Sequence, residues 1–170
     1  MSNLMIRYGL IAGAVVSVLM FAPYFVFGAK PEQMKLGEIV GYTSMVLAMS
    51  ATFLAMRRER ERRGGALGFG AAFGIGVGVS AIAGLLFGIA TLGFYAIVGD
   101  ALPDAMVEFY TQQANAAGSP EAVAAKLAEL ERMRPLLYSH SFSAALMFAT
   151  VFLIGLVESA IGALMLKKGV

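Results

Sequence analysis

Hydrophobic positions in this chain run together rather than alternating with polar ones. Residues 5–27, 36–56, 67–98 and 141–166 form four stretches that each hold at most one charged side chain. Each meets or exceeds the ~20 apolar residues needed to cross a ~30 Å hydrocarbon core. Within such a core every backbone N–H and C=O must find a partner inside its own segment, so runs of this length read as helices. The pattern predicts an all-α, integral membrane four-helix bundle, folded as a single domain over residues 1–170.

The connections differ in character. Residues 29–35, with Pro31, make a short turn and predict an antiparallel hairpin of the first two helices. Residues 57–66 read as a basic loop that closes at Gly64 and Gly65, a natural helix stop. Residues 99–140 are long enough to hold structure of their own. Within them Ser119-Pro120-Glu121 is a helix start, with Ser as N-cap, Pro at the first helical position and Glu near the positive end of the dipole. Val123, Leu127, Leu130 and Arg134 follow at helical spacing, and Pro135 is expected to end the run. A shorter helix over 104–114 precedes it. The pair predicts a small helical extracytoplasmic cap between the third and fourth membrane helices.

Composition strengthens the membrane reading. The chain is 59% hydrophobic and 14% charged, against roughly 45–50% and about 25% for soluble domains. It holds no cysteine, which excludes disulfides and thiolate metal sites. Basic residues set the orientation. With both termini inside, Arg7, Arg57, Arg58, Arg60, Arg62, Arg63, Lys167 and Lys168 flank the cytoplasmic face. Lys30, Lys35, Lys126, Arg132 and Arg134 flank the other, a count of eight against five. The first stretch carries a single Arg7 and exceeds the ~7–15 residues of a signal-peptide core, so it reads as a retained span.

The third stretch is crowded with glycine. Gly70, Gly74 and Gly78 repeat every fourth residue, as do Gly76, Ser80, Gly84 and Gly88. Gly9, Gly13 and Ser17 form a similar ridge in the first helix, and Gly155, Ser159 and Ala163 in the fourth. Small-residue ridges let helix backbones approach closely, which is how helices associate in lipid. They serve packing inside the chain, or one of them faces a second protein chain. The third stretch would extend about 48 Å if fully helical, so it must tilt, kink or begin with an interfacial turn.

Ionisable groups inside the spans are the functional candidates. Glu158 lies in the cytoplasmic half of the fourth helix, where a charge near the bilayer centre costs on the order of 2.5–3.5 kcal/mol. It shares a face with Gly155, Ser159 and Gly162, so it points into protein, as a hydrogen-bonding group or as a proton or cation site. Glu38 stands where the second helix leaves the outer surface, a position the helix dipole favours. His140, the only histidine, lies at the outer boundary of the fourth helix. Arg57, Arg58, Arg60, Arg62 and Arg63 suit anionic lipid headgroups. No catalytic constellation, cofactor attachment site or nucleotide loop is present, so neither an enzyme nor a cofactor is expected. The expected partners are the lipid bilayer and a membrane protein or a second copy of the chain, with no nucleic acid.

Several pieces of the chain, in order, resemble one known family. Arg7-Tyr8-Gly9-Leu10-Ile11-Ala12-Gly13 opens the first helix, and Gly37-Glu38-Ile39-Val40-Gly41-Tyr42-Thr43-Ser44-Met45 with Leu47-Ala48 lies in the second. Gly64-Gly65 and Phe69-Gly70-Ala71-Ala72-Phe73 lead into the third. Phe109-Tyr110, then Gly118-Ser119-Pro120-Glu121 through Glu131-Arg132-Met133, occupy the outer segment. Gly155-Leu156 and Ala163-Leu164-Met165-Leu166 close the fourth. This set resembles the uncharacterised bacterial membrane family named domain of unknown function 4199. The resemblance implies a four-helix bacterial inner-membrane protein and supplies no activity. Glu38 falls on the family's pattern, whereas Glu158 stands where an apolar residue is expected. Two functions follow as expectations: a structural or accessory membrane protein, and, as the alternative, a small oligomeric transporter or channel built on Glu158 or Glu38.

Overall fold

The computed structural model describes residues 2–166; Lys167 and Lys168 of the orientation count lie outside them. The described chain is helical throughout its ordered elements. Helix α1 spans Ser2–Phe27, and a 3-10 turn over Pro31–Gln33 leads into α2, Met34–Met49. Helix α3 follows at Ala51–Arg62, α4 at Phe69–Val98, α5 at Ala101–Asn115, α6 at Pro120–Leu137 and α7 at His140–Leu166. Four rods are long and apolar enough to cross a membrane: α1, α4, α7 and the rod formed by α2 with α3.

That second rod is broken only at Ser50. The hydrogen-bond ladder continues across it, from the Ser50 N–H to the Val46 carbonyl and from the Leu54 N–H to the Ser50 carbonyl, both at 3.2 Å. The Ser50 hydroxyl donates to the Leu47 carbonyl at 2.7 Å, the kind of back-bonding that locally perturbs a helix. The apolar pattern over 36–56 reads the rod as one helix because one serine barely alters it.

The arginine run corrects an expectation. Residues 57–62 belong to α3, not to a loop. Their charges sit at helical spacing, and they pair within the helix: Arg57 with Glu61 at 3.2 Å, Arg62 with Glu59 at 3.4 Å and Arg63 with Glu59 at 3.0 Å. Such i,i+3 and i,i+4 pairs favour the helix. The stop falls where the glycines predict it. The Gly65 N–H reaches the Arg60 carbonyl at 2.9 Å and the Gly64 N–H the Glu61 carbonyl at 3.2 Å. Both glycines have positive φ, +71° and +95°, and this is the double closure typical of a glycine-capped helix end.

Ser119 caps α6 as read, its hydroxyl accepting from the Ala122 N–H at 3.2 Å. The helix does not end at Pro135 but runs to Leu137, with the Tyr138 N–H bonding the Arg134 carbonyl at 3.2 Å. Pro135 is exposed, so the carbonyl it leaves unpaired can be satisfied from outside the helix. The 104–114 helix is longer than expected because Pro103 falls in its first turn, where the missing N–H has no helical partner to lose.

Helix α4 is the axis of the bundle, with α1, α3 and α7 packed around it. Val16, Met45, Met49, Phe87 and Val151 form one buried cluster; Met56, Ala72, Ile75, Val79 and Ala163 form a second. The outward faces stay apolar: Leu85, Ile97, Val157, Leu164 and Met165 are all exposed. Helices that are apolar all round belong in a hydrocarbon solvent. Helices α5 and α6 pair with each other; α5 rests on the 3-10 turn and the start of α2, and α6 touches α7.

Candidate functional site

The glycine ridges divide into an internal set and an open one. A β-carbon on Gly84 would stand 3.0 Å from the Phe148 carbonyl oxygen, and one on Gly88 would stand 3.2 Å from that of Ala144. On Gly76 it would overlap Ser159, and on Gly155 it would overlap Ser80 and crowd Met49. The ridge from Gly76 to Gly88 is therefore the α4–α7 contact. Gly9 and Gly13 press in the same way on Ile82, Ala83 and Leu86, and Gly78 takes Met5. Gly70 and Gly74 meet nothing within 4 Å. Of the candidate packing glycines, these two alone face away from the described chain.

The α4–α7 contact is reciprocal. Ser80 of α4 covers Gly155, and Ser159 of α7 covers Gly76. The Ser80 hydroxyl donates to the Gly76 carbonyl at 2.8 Å, and the Ser159 hydroxyl donates to the Gly155 carbonyl. Both hydroxyls are thus satisfied within their own helices while fully buried.

Among the described residues, two other buried polar atoms, Thr52 Oγ1 and Glu158 Oε1, have no hydrogen-bond partner. Thr52 is on α3 and Glu158 on α7, two helices in contact. Met49 of α3 lies against Gly155 of α7, and Met56 and Phe53 lie against Gly162. The helices therefore run parallel here. Glu158 sits where sequence periodicity places it, on the flank of the small-residue face. Among the described residues its Oε1 makes no hydrogen bond.

A second polar group joins the ends of the α5–α6 excursion. Asp100 Oδ1 lies 3.0 Å from His140 Nε2, and the His140 ring stacks on Tyr95 with centroids 4.5 Å apart. The Tyr138 hydroxyl donates to Asp104 Oδ1 at 2.6 Å. That bond is the main reason the Tyr138 hydroxyl is held above its ordinary pKa. Sequence reasoning singled out His140 but missed Asp100, Asp104 and Tyr138. The partners are 40 and 34 residues apart, beyond any local spacing rule.

Glu38 is the fifth residue of α2, since that helix begins at Met34. It lies past the first turn, where the dipole acts most strongly. It lies near α5: partial burial first, then the Glu38 and Tyr42 groups, keep the Tyr110 hydroxyl of α5 above the usual tyrosine range.

At the opposite end, Glu59 is buried beneath Arg62 and Arg63. Arg60 donates to the Gly65 carbonyl at 3.0 Å. Arg57 and Arg58 line a shallow groove of about 180 Å³ with Tyr8, Leu54 and Glu61. The five arginines thus lie together at one end of the bundle, several with their charge already engaged.

The family described as "Protein of unknown function (DUF4199)" matches residues 7–168. No curated protein matches the chain, and no solved structure does.

Proposed function

We propose that this chain, which belongs to the DUF4199 family, is a structural or accessory protein of the bacterial inner membrane that binds a membrane-protein partner or a second copy of itself. In this reading both termini are cytoplasmic, α5 and α6 form an extracytoplasmic cap, and the arginine-rich end of α3 meets anionic headgroups. No catalytic activity, cofactor or nucleic acid enters the proposal.

The carrying observation is how the small residues are used. The ridges of α1, α4 and α7 are consumed in closing the bundle around fully buried Met49, Met56, Ile75 and Phe87. The interior of one copy is filled at these positions by apolar side chains, which favours a packing role. Gly70 and Gly74 keep a close-approach surface on the outside of α4. The alternative, a small oligomeric transporter using Glu158 or Glu38, draws its support from the Glu158 carboxyl oxygen left unpartnered among the described residues.

The deciding experiment is the mass and composition of the complex extracted gently from native membranes. A reproducible heteromer or a homo-oligomer lost in Gly74→Leu supports the accessory reading. A homo-oligomer indifferent to Gly74, with solute flux in liposomes abolished by Glu158→Gln, replaces it with transport.

A further inference from the structure

One end of the bundle carries a groove whose chemistry the packing of the bundle does not use. It opens where α1 and α3 meet, walled by Tyr8 of α1 and by Leu54, Arg57, Arg58 and Glu61 of α3. The α3 wall crosses a chemical boundary. Leu54 belongs to the apolar run that ends at Met56, and it is half exposed. Arg57 and Arg58 stand one helical turn further along, at the i,i+3 and i,i+4 positions that share its face. An apolar side and a cationic side thus lie within one turn of helix.

The charge in this groove is only partly engaged. Arg57 bonds Glu61 at 3.2 Å, while Arg58 is exposed and pairs with no acid among the described residues. Two guanidinium groups against one carboxylate leave one positive charge in excess. On the other wall the Tyr8 hydroxyl makes no hydrogen bond among the described residues. Arg62 and Arg63, by contrast, lie outside the groove and are held on Glu59.

We propose that this groove binds the headgroup of one anionic phospholipid, of the hydroxyl-bearing phosphatidylglycerol class, from the adjoining leaflet. The proposal rests on the reading that the arginine-rich end of α3 meets headgroups, and it narrows that reading to one site. Arg58 takes the phosphodiester oxygens, for which the planar guanidinium fork is suited. Tyr8 adds a neutral donor from the neighbouring helix, and its ring and hydroxyl suit the level where lipid gives way to water. Glu61, held by Arg57, accepts from a headgroup hydroxyl. Leu54 lies against the first carbons of an acyl chain. The lipid's single negative charge matches the excess in the groove, whereas a zwitterionic lipid brings no net charge to cancel it.

The test is native mass spectrometry of the full chain in mild detergent, titrated with phosphatidylglycerol, phosphatidylethanolamine or phosphatidylcholine of one chain length. The first phosphatidylglycerol is expected to bind about tenfold more tightly than either zwitterionic lipid, the scale of one hydrogen bond between charged groups. Arg58→Gln, which breaks no pair in the protein, should remove that preference. Tyr8→Phe should weaken the first binding about fivefold, the scale of one neutral hydrogen bond, and Arg62→Gln should leave it nearly unchanged. Equal losses in Arg58→Gln and Arg62→Gln, with Tyr8→Phe unaffected, overturn the discrete site and leave a general attraction of this end for headgroups. No preference for phosphatidylglycerol in the wild type overturns the site and the headgroup reading together. Displacement by glycerol 3-phosphate at the lipid's own concentration assigns the groove to a soluble phosphate and overturns it as a lipid site. The mass of the natively extracted complex, which decides the accessory reading, is independent of all these outcomes.

Discussion

At the scale of single residues, glycine means two different things in this chain. Gly155 lies under Ser80 and Met49, whereas Gly74 faces open space on the same bundle. Gly155→Leu is expected to destabilise the protein by about 3 kcal/mol or more, since overpacking a closed contact typically costs 1–3 kcal/mol and here the obstacle includes a second helix. Gly74→Leu should leave the thermal unfolding of the isolated protein in detergent nearly unchanged. Equal destabilisation by both would show that Gly74 is internal after all. The sequence repeats small residues every fourth position on both ridges, so periodicity cannot separate them; only the position of α7 does.

Tyr138 and Asp104 carry a second residue-scale consequence. Their bond joins the start of α5 to the end of α6 on exposed side chains. Tyr138→Phe is expected to lower stability only slightly, since water competes for this exposed bond, and to raise amide exchange locally at the two junctions. Asp104→Asn, which keeps an acceptor, should cost less. A Tyr138→Phe protein with unchanged exchange there would show that the bond does not hold the cap.

At the scale of elements, the chain shows where hydropathy and helical structure part company. The basic run after Met56 ends the apolar stretch but not the helix, because Arg and Glu alternate at spacings that pair along a helical face. The hydrophobic boundary and the helix boundary are separate events, six residues apart at Met56 and Arg62. The second is set by Gly64 and Gly65. Gly65→Ala, which forces a side chain into the left-handed region, should destabilise by about 1–2 kcal/mol. An Ala at Arg58, which makes no pair among the described residues, should cost nearly nothing by thermal unfolding. At α6 the same lesson runs the other way: Pro135 removes one helical hydrogen bond on an exposed face, and the helix continues past it.

At the scale of the whole molecule, orientation is the open consequence. The chain contains no cysteine, so single cysteines can be placed on it without background. Asn115→Cys, at the end of α5, and Ala66→Cys, between α3 and α4, lie at opposite ends of the bundle. A membrane-impermeant maleimide on intact spheroplasts is expected to label the first and to reach the second only after permeabilisation. The reverse pattern would turn the proposed topology over and move the cap to the cytoplasm.

What the sequence determined by itself is what depends on neighbours along the chain. Runs of apolar residues set four spans, Ser119-Pro120 set a helix start, Gly64-Gly65 set a stop, and the ordered fragments from Arg7 to Leu166 set the family. These are local because a helix satisfies its own backbone within a few residues. Tertiary structure alone decided which glycines are internal and that Asp100 meets His140. It also decided that Thr52, unremarkable in sequence, is fully buried with its hydroxyl unpartnered among the described residues. Those facts depend on the offset between packed helices, and a pattern repeating every turn fits more than one offset. The side chains that finally interlock, Met49 on Gly155 and Met56 on Gly162, select one of them.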